Sequence, residues 1–130
     1  MDIKSLIEKA LEAQEKAYVP YSNFRVGASL LTEDDKIYTG CNIEIASYSP
    51  TICAERTAIF KAVSEGHRKI KAIAVVGDSD YTFPCGVCRQ VMREFGKDVN
   101  IIIANSVDDY KIYTLDELLP NSFGPEDLDK

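Results

Sequence analysis

Two short segments of this chain concentrate residues able to do chemistry: Cys53-Ala54-Glu55-Arg56 and Pro84-Cys85-Gly86-Val87-Cys88. Each falls just before or within the first turn of a predicted helix. Cys85 and Cys88 stand three apart, so one helical turn puts their sulfurs on a shared face. Cys53 offers a third thiolate. Zinc accepts thiolates readily and favours four ligands, so three cysteines would leave one position for water. Helix starts suit such a centre, because free N–H groups and the positive end of the helix dipole stabilise thiolates. Three thiolates around a divalent ion make an anionic centre and a poor Lewis acid. Arg56 could return positive charge and hydrogen bonds to the sulfurs; a surface salt bridge is its ordinary alternative. Glu55 is not needed as a ligand if the three cysteines serve. A carboxylate in an otherwise apolar helix start is either a catalytic group or simple helix-start electrostatics. Read separately, the motifs also allow a closed structural zinc site with Cys41 as the fourth ligand, a redox pair, or buried core thiols.

The elements that must position these residues follow from hydrophobic periodicity. Residues 3–18 read as an amphipathic helix, with Gln14 the one polar interruption of its apolar face and Pro20 its stop. Residues 25–31 read as a strand that turns at Glu33-Asp34-Asp35 and returns through Ile37-Tyr38-Thr39. After a polar loop, residues 52–65 form a helix ended by Gly66. Ile70 to Val76 is nearly all apolar, as in a central strand covered on both faces. A third helix spans about 85–95. Val99 to Ala104 and Tyr110 to Tyr113 are strands, and Thr114-Leu115-Asp116-Glu117 opens a short last helix through a capping box. The order α-β-β-α-β-α-β-β-α predicts an α/β fold, a three-layer α/β/α sandwich on five strands. The chain reads as a single domain over 1–130, with 121–130 a polar tail. Strand directions are not legible in this pattern.

Composition narrows the partners. The chain has 130 residues and carries 21 acidic against 15 basic side chains, net -6. The one basic cluster, Arg68, Lys69 and Lys71, is small, so neither nucleic acid nor an anionic membrane is an expected partner. The start, Met1-Asp2-Ile3-Lys4, lacks the basic region and apolar run of a signal peptide, and no apolar stretch is long enough for a span. The expected location is cytoplasmic, where cysteines serve as ligands or core groups more often than as disulfides. His67, the lone histidine, sits in a polar turn and reads as exposed and unimportant.

Together the two cysteine segments resemble the zinc deaminase signature, a Cys-x-Glu element followed by Pro-Cys-x-x-Cys. The resemblance extends over nearly the whole chain to the small homotetrameric cytidine deaminases. It is carried by Tyr21-Ser22-Asn23-Phe24-Arg25-Val26-Gly27-Ala28, by Gly40-Cys41-Asn42-Ile43-Glu44, by the two zinc segments through Ala58 and Gln90, and by Leu118-Leu119-Pro120 before Phe123. Ser29 and Ile45 depart from it, at positions where the family carries Ala and Asn.

The resemblance implies a mixed central sheet and one zinc ion per subunit, held by Cys53, Cys85 and Cys88, with Cys41 a buried strand-end thiol and no ligand. It implies hydrolysis of cytidine and 2'-deoxycytidine to uridine and 2'-deoxyuridine with release of ammonia, a step of pyrimidine salvage, with Glu55 as the catalytic proton carrier. Phe24 would pack on the pyrimidine and the Ala54 N–H would hold O2. The backbone near Pro84 would receive the amino group, and Asn42 and Glu44 would bind the 3'-hydroxyl. A deaminase of nucleic-acid bases would need a basic approach surface that this composition does not favour. An enzyme for modified cytosine nucleosides fits the Asn42, Glu44 and Phe24 set less well. The family's quaternary structure implies a homotetramer in which Phe123 enters the neighbouring subunit's site. The short loops of this chain agree, since none is long enough to form a lid.

Overall fold

The computed structural model describes residues 1–128, so Asp129 and Lys130 of the expected tail lie outside the described residues. Five strands form one sheet: β1 (Val26–Thr32), β2 (Ile37–Cys41), β3 (Ile70–Gly77), β4 (Asn100–Ser106) and β5 (Asp109–Thr114), in the order β2-β1-β3-β4-β5. β3 and β4 run parallel, as a crossover through a helix requires. The other neighbours are antiparallel. The sheet is mixed, and helices cover both faces.

Alternation along the strands explains the layers. Ala28 and Leu30 of β1, Ile73 and Val75 of β3, and Ile101 and Ile103 of β4 face one side. Packed on them are α2 (Ala54–Ser64), α3 (Gly86–Phe95) and the short α4 (Leu115–Leu118). Leu31, Ala72, Ala74, Val76 and Ile102 face the other side, against Leu6, Ile7 and Ala10 of α1 (Ile3–Gln14). Each buried Ile or Leu contributes on the order of 1.5–3 kcal/mol, so the central strands hold the layers together. Gly40 lets α2 sit flush on the sheet: a Cβ there would lie 2.5 Å from the Ala58 amide nitrogen and 2.6 Å from the Ala54 carbonyl oxygen.

Three local expectations change. Helix α1 ends at Gln14 rather than at residue 18. The Tyr18 amide donates to the Asn42 carbonyl (3.0 Å), and its carbonyl accepts from the Glu44 amide (2.8 Å), so pairing with a distant segment replaces the last helical turn. Gln14 is buried without penalty, because its Nε2 donates to the Arg25 carbonyl at 3.2 Å and to Asp78 Oδ1 at 3.3 Å. His67 is not exposed. It is half-buried, with Nδ1 3.0 Å from Asp34 Oδ2 and its ring 5.5 Å from that of Tyr38. The tail is not featureless either, since Pro125–Asp127 forms a single 3-10 turn. No helix among the described residues is long and apolar enough to cross a membrane.

Candidate active site

Cys53 and Cys85 occupy the same local position, the N-cap of α2 and of α3. An N-cap side chain usually accepts a bond from the first turn. Neither cysteine does so. Instead their sulfurs approach each other to 3.7 Å. Cys88, one turn into α3 and buried, joins them, and all three sulfurs lie within 4.8 Å of one another. Tetrahedral zinc with Zn–S bonds of about 2.3 Å places its sulfurs about 3.8 Å apart. The cluster therefore fits a metal ion of that size and softness. Cys41 is not part of it. It ends β2, half-buried, and its thiol donates to the Lys16 carbonyl at 3.4 Å.

Arg56 and the neighbouring sulfurs favour a thiolate at Cys53. Arg56 Nη2 donates to Cys53 Sγ at 3.3 Å. The Cys53 thiol is pulled down to about 5, first by its hydrogen bond with Cys88 and then by Arg56 and Cys85. Cys88 is pushed up by the same sharing with Cys53 and by burial. The guanidinium of Arg56 is held charged by Cys53, and its buried Nε has no partner.

Glu55, the second residue of α2, is only 3% exposed. Burial pushes its carboxyl up to about 7, and the Cys53 charge adds to the shift against the pull of its own backbone amide and of Arg56. A carboxyl poised there can both take and give a proton near neutral pH. Glu55 lines an open cleft of about 190 Å³ together with Phe24, Val26, Asn42, Cys53, Ala54, Thr82, Phe83 and Cys85. One small cavity thus holds two of the three sulfurs, the buried carboxyl and two aromatic rings. Its contents fit a flat heterocycle presented to a hydrolytic centre.

The remaining expected residues divide. Asn42 lines the cleft but also braces β1, with Oδ1 accepting from the Val26 amide and Nδ2 donating to the Phe24 carbonyl, both at 2.9 Å. Glu44 lies in a separate cleft with Tyr21, Ser22, Tyr48 and Thr51. There its Oε1 accepts from the Tyr21 and Ser22 amides at 3.0 and 3.1 Å, and its carboxyl is held below the usual range first by the Ser22 side chain and then by these two amides. Pro84 is buried beside the cleft, and its carbonyl accepts from Arg89 Nε at 2.8 Å. Phe123 lines neither cleft and is 57% exposed.

Thr82 and Phe83 escaped the sequence reading although both line the site. The available signal was an aromatic directly before the Pro-Cys-x-x-Cys segment. Phe83 is anchored on Tyr113, ring centroids 5.3 Å apart. Arg89 is a second omission. It ties the Pro84 carbonyl to the Leu118 carbonyl (2.7 Å), linking the start of α3 to the end of α4.

Known proteins are similar to this chain in sequence and in fold. Residues 1–104 match the family described as the cytidine and deoxycytidylate deaminase zinc-binding region. The chain is 52% identical to the cytidine deaminase of Sporosarcina psychrophila, over 98% of this chain and 96% of that one. It is 40% identical to the cytidine deaminase of Mycobacterium tuberculosis H37Rv, over 98% and 94% of the two chains. Among solved structures it is similar to cytidine deaminase from Burkholderia pseudomallei, with a TM-score of 0.87 and 49% identity over 92% of this chain and 97% of that one. With the sulfur cluster and the fold in agreement, the chain belongs to the zinc-binding cytidine deaminase family.

Proposed function

We propose that this protein hydrolyses free cytidine and 2'-deoxycytidine to uridine and 2'-deoxyuridine with release of ammonia. The observation that carries the proposal is the meeting of Cys53, Cys85 and Cys88 beside a buried Glu55, at a cleft of nucleobase size that Phe24 and Asn42 line. Cys53, Cys85 and Cys88 would hold one zinc ion per subunit, which when bound supplies the Lewis acidity that makes hydroxide available near neutral pH.

The protein's own groups do the rest. Glu55 accepts a proton from the attacking water and gives it to N3 of the base as oxygen adds to C4. It then carries the proton of the new C4 hydroxyl to the amino nitrogen. The C4–N bond breaks, C4=O forms and ammonia leaves. One carboxyl serves both transfers because they are sequential. The amide of Ala54 is the first of α2 and has no partner within the helix, so it is free to hold O2. The Pro84 carbonyl has a second lone pair beyond the one Arg89 occupies, and it receives the amino group. Phe24 packs on the ring. Asn42 and Glu44 bind the 3'-hydroxyl, and neither needs a 2'-hydroxyl, so both sugars are accepted. Arg56 offsets thiolate charge that would blunt the metal's electrophilicity.

The assembly is a homotetramer, and Phe123 covers the site of a neighbouring subunit. Support comes from its exposure and from its absence in the cleft of its own chain. Metal analysis combined with an ultraviolet assay on both nucleosides tests the reaction. The expected result is one zinc per chain with conversion of cytidine and 2'-deoxycytidine to the uracil forms and ammonia. A zinc-loaded protein that converts neither would refute the proposal.

A further inference from the structure

Helix α3 carries more than two sulfurs. Its later turns carry Gln90 and Arg93, whose side chains are directed to the C-terminal segment. Among the described residues the buried charged side chains are Glu55 and Arg93. A guanidinium persists in such a place only where it is paired and hydrogen-bonded. Every partner of Arg93 is in the tail. Its Nε donates to Ser122 Oγ at 2.9 Å, its Nη1 to Glu126 Oε2 at 3.2 Å, and its Nη2 pairs with Glu126 Oε1. Gly124 lies against the same group: a Cβ there would come within 2.3 Å of the guanidinium carbon. Gln90 Nε2 adds a bond to the Phe123 carbonyl at 2.8 Å.

These contacts share a pattern. Ser122 and Glu126, on either side of Phe123, are bonded to one rigid fork and Gly124 packs against it, while the Phe123 ring itself is left exposed. A planar guanidinium that bonds both carboxylate oxygens fixes direction as well as distance. We propose that Arg93, working against Glu126, is a positioning residue that sets the direction in which Phe123 leaves its subunit, and so the aromatic wall met by a nucleoside in the neighbour. The inference rests on the reading that Phe123 completes a neighbouring site. It adds that the tail's aim is set by the same helix that begins with Cys85 and Cys88, so the ring is held in register with the ligand-bearing helix of its own chain.

The test is steady-state kinetics on cytidine with the zinc-loaded full chain. The variants are Phe123→Ala, Arg93→Gln, Glu126→Ala and the double variant Phe123→Ala/Glu126→Ala. Loss of one aromatic contact should raise KM roughly 3- to 10-fold in Phe123→Ala, with a smaller change in kcat. Arg93→Gln and Glu126→Ala should raise KM by up to the same factor with zinc content unchanged. The double variant should match Phe123→Ala alone, because no ring is left to aim. Multiplying effects in the double variant, or an unchanged KM in both Arg93→Gln and Glu126→Ala beside a raised one in Phe123→Ala, would overturn the inference while leaving the shared site intact. An unchanged KM in Phe123→Ala would instead overturn the shared site itself. Should Arg93→Gln fail to fold, Glu126→Ala carries the same test, since its side chain is half exposed.

Discussion

The first turn of α3 and the tail bound to its later turns treat their functional groups in opposite ways. At the start, Cys85 and the buried Cys88 meet Cys53, with Arg56 against a sulfur and Glu55 buried alongside. Further along, Gln90 and Arg93 hold the tail so that Phe123 points outward. Glu44 likewise sits in its own open cleft. Groups that would break the bond therefore converge within one chain. Of the groups that would enclose the sugar and the ring, Phe24 and Asn42 join them in the cleft, whereas Glu44 and Phe123 do not. Buried charge at the helix start serves the sulfurs and the carboxyl, while the buried Arg93 farther along, paired with Glu126, holds the tail.

That contrast can be broken most severely at the sulfurs. Cys53→Ala, Cys85→Ala and Cys88→Ala should each lose bound zinc and essentially all turnover, whereas Cys41→Ala should keep both, as its thiol bonds only the Lys16 carbonyl. Metal content by plasma emission, read beside activity, decides this. Loss of metal in Cys41→Ala alone would revive a closed four-cysteine site. Next in size is Glu55→Gln, which keeps shape and removes the proton carrier. Zinc content should stay at the wild-type level while kcat falls by roughly 10²-fold or more. A near-normal kcat would remove Glu55 from its role. The smallest effect lies on the far face of the sheet. Ser29 is buried with an Oγ that has no partner. Ser29→Ala should stabilise the fold by about 1 kcal/mol without changing kcat or KM. Denaturant unfolding at fixed zinc checks it, and destabilisation would show that the hydroxyl has a partner after all.

Legibility in the sequence followed locality. The runs at β3 and β4 could be read because both faces of those strands are buried, which leaves an almost unbroken apolar stretch. The ligand-bearing helix starts could be read because three residues of spacing fix a shared face. The end of α1 could not, since its last turn yields to pairing of Tyr18 with Asn42 and Glu44 more than twenty residues away. His67 was misread for a similar reason: its partners, Asp34 and Tyr38, come from the β1–β2 hairpin. Arg93 on an amphipathic helix looks like a surface residue, and only the folded tail reveals that it is buried. Phe83 and Thr82 lacked a periodic signature because they lie in a loop whose path is set by its contacts.

The proposed division between a self-sufficient chemical centre and a shared enclosure is tested most directly by mixing two impaired parents, assayed at cytidine concentrations below KM. Phe123→Ala chains keep Glu55, and Glu55→Gln chains keep Phe123. Subunit exchange between them should assemble some sites that have both groups intact, so activity should rise above that of the unexchanged mixture and track the extent of exchange. Confirmed exchange with no rise, or a protein that sediments as a monomer, would contradict the account.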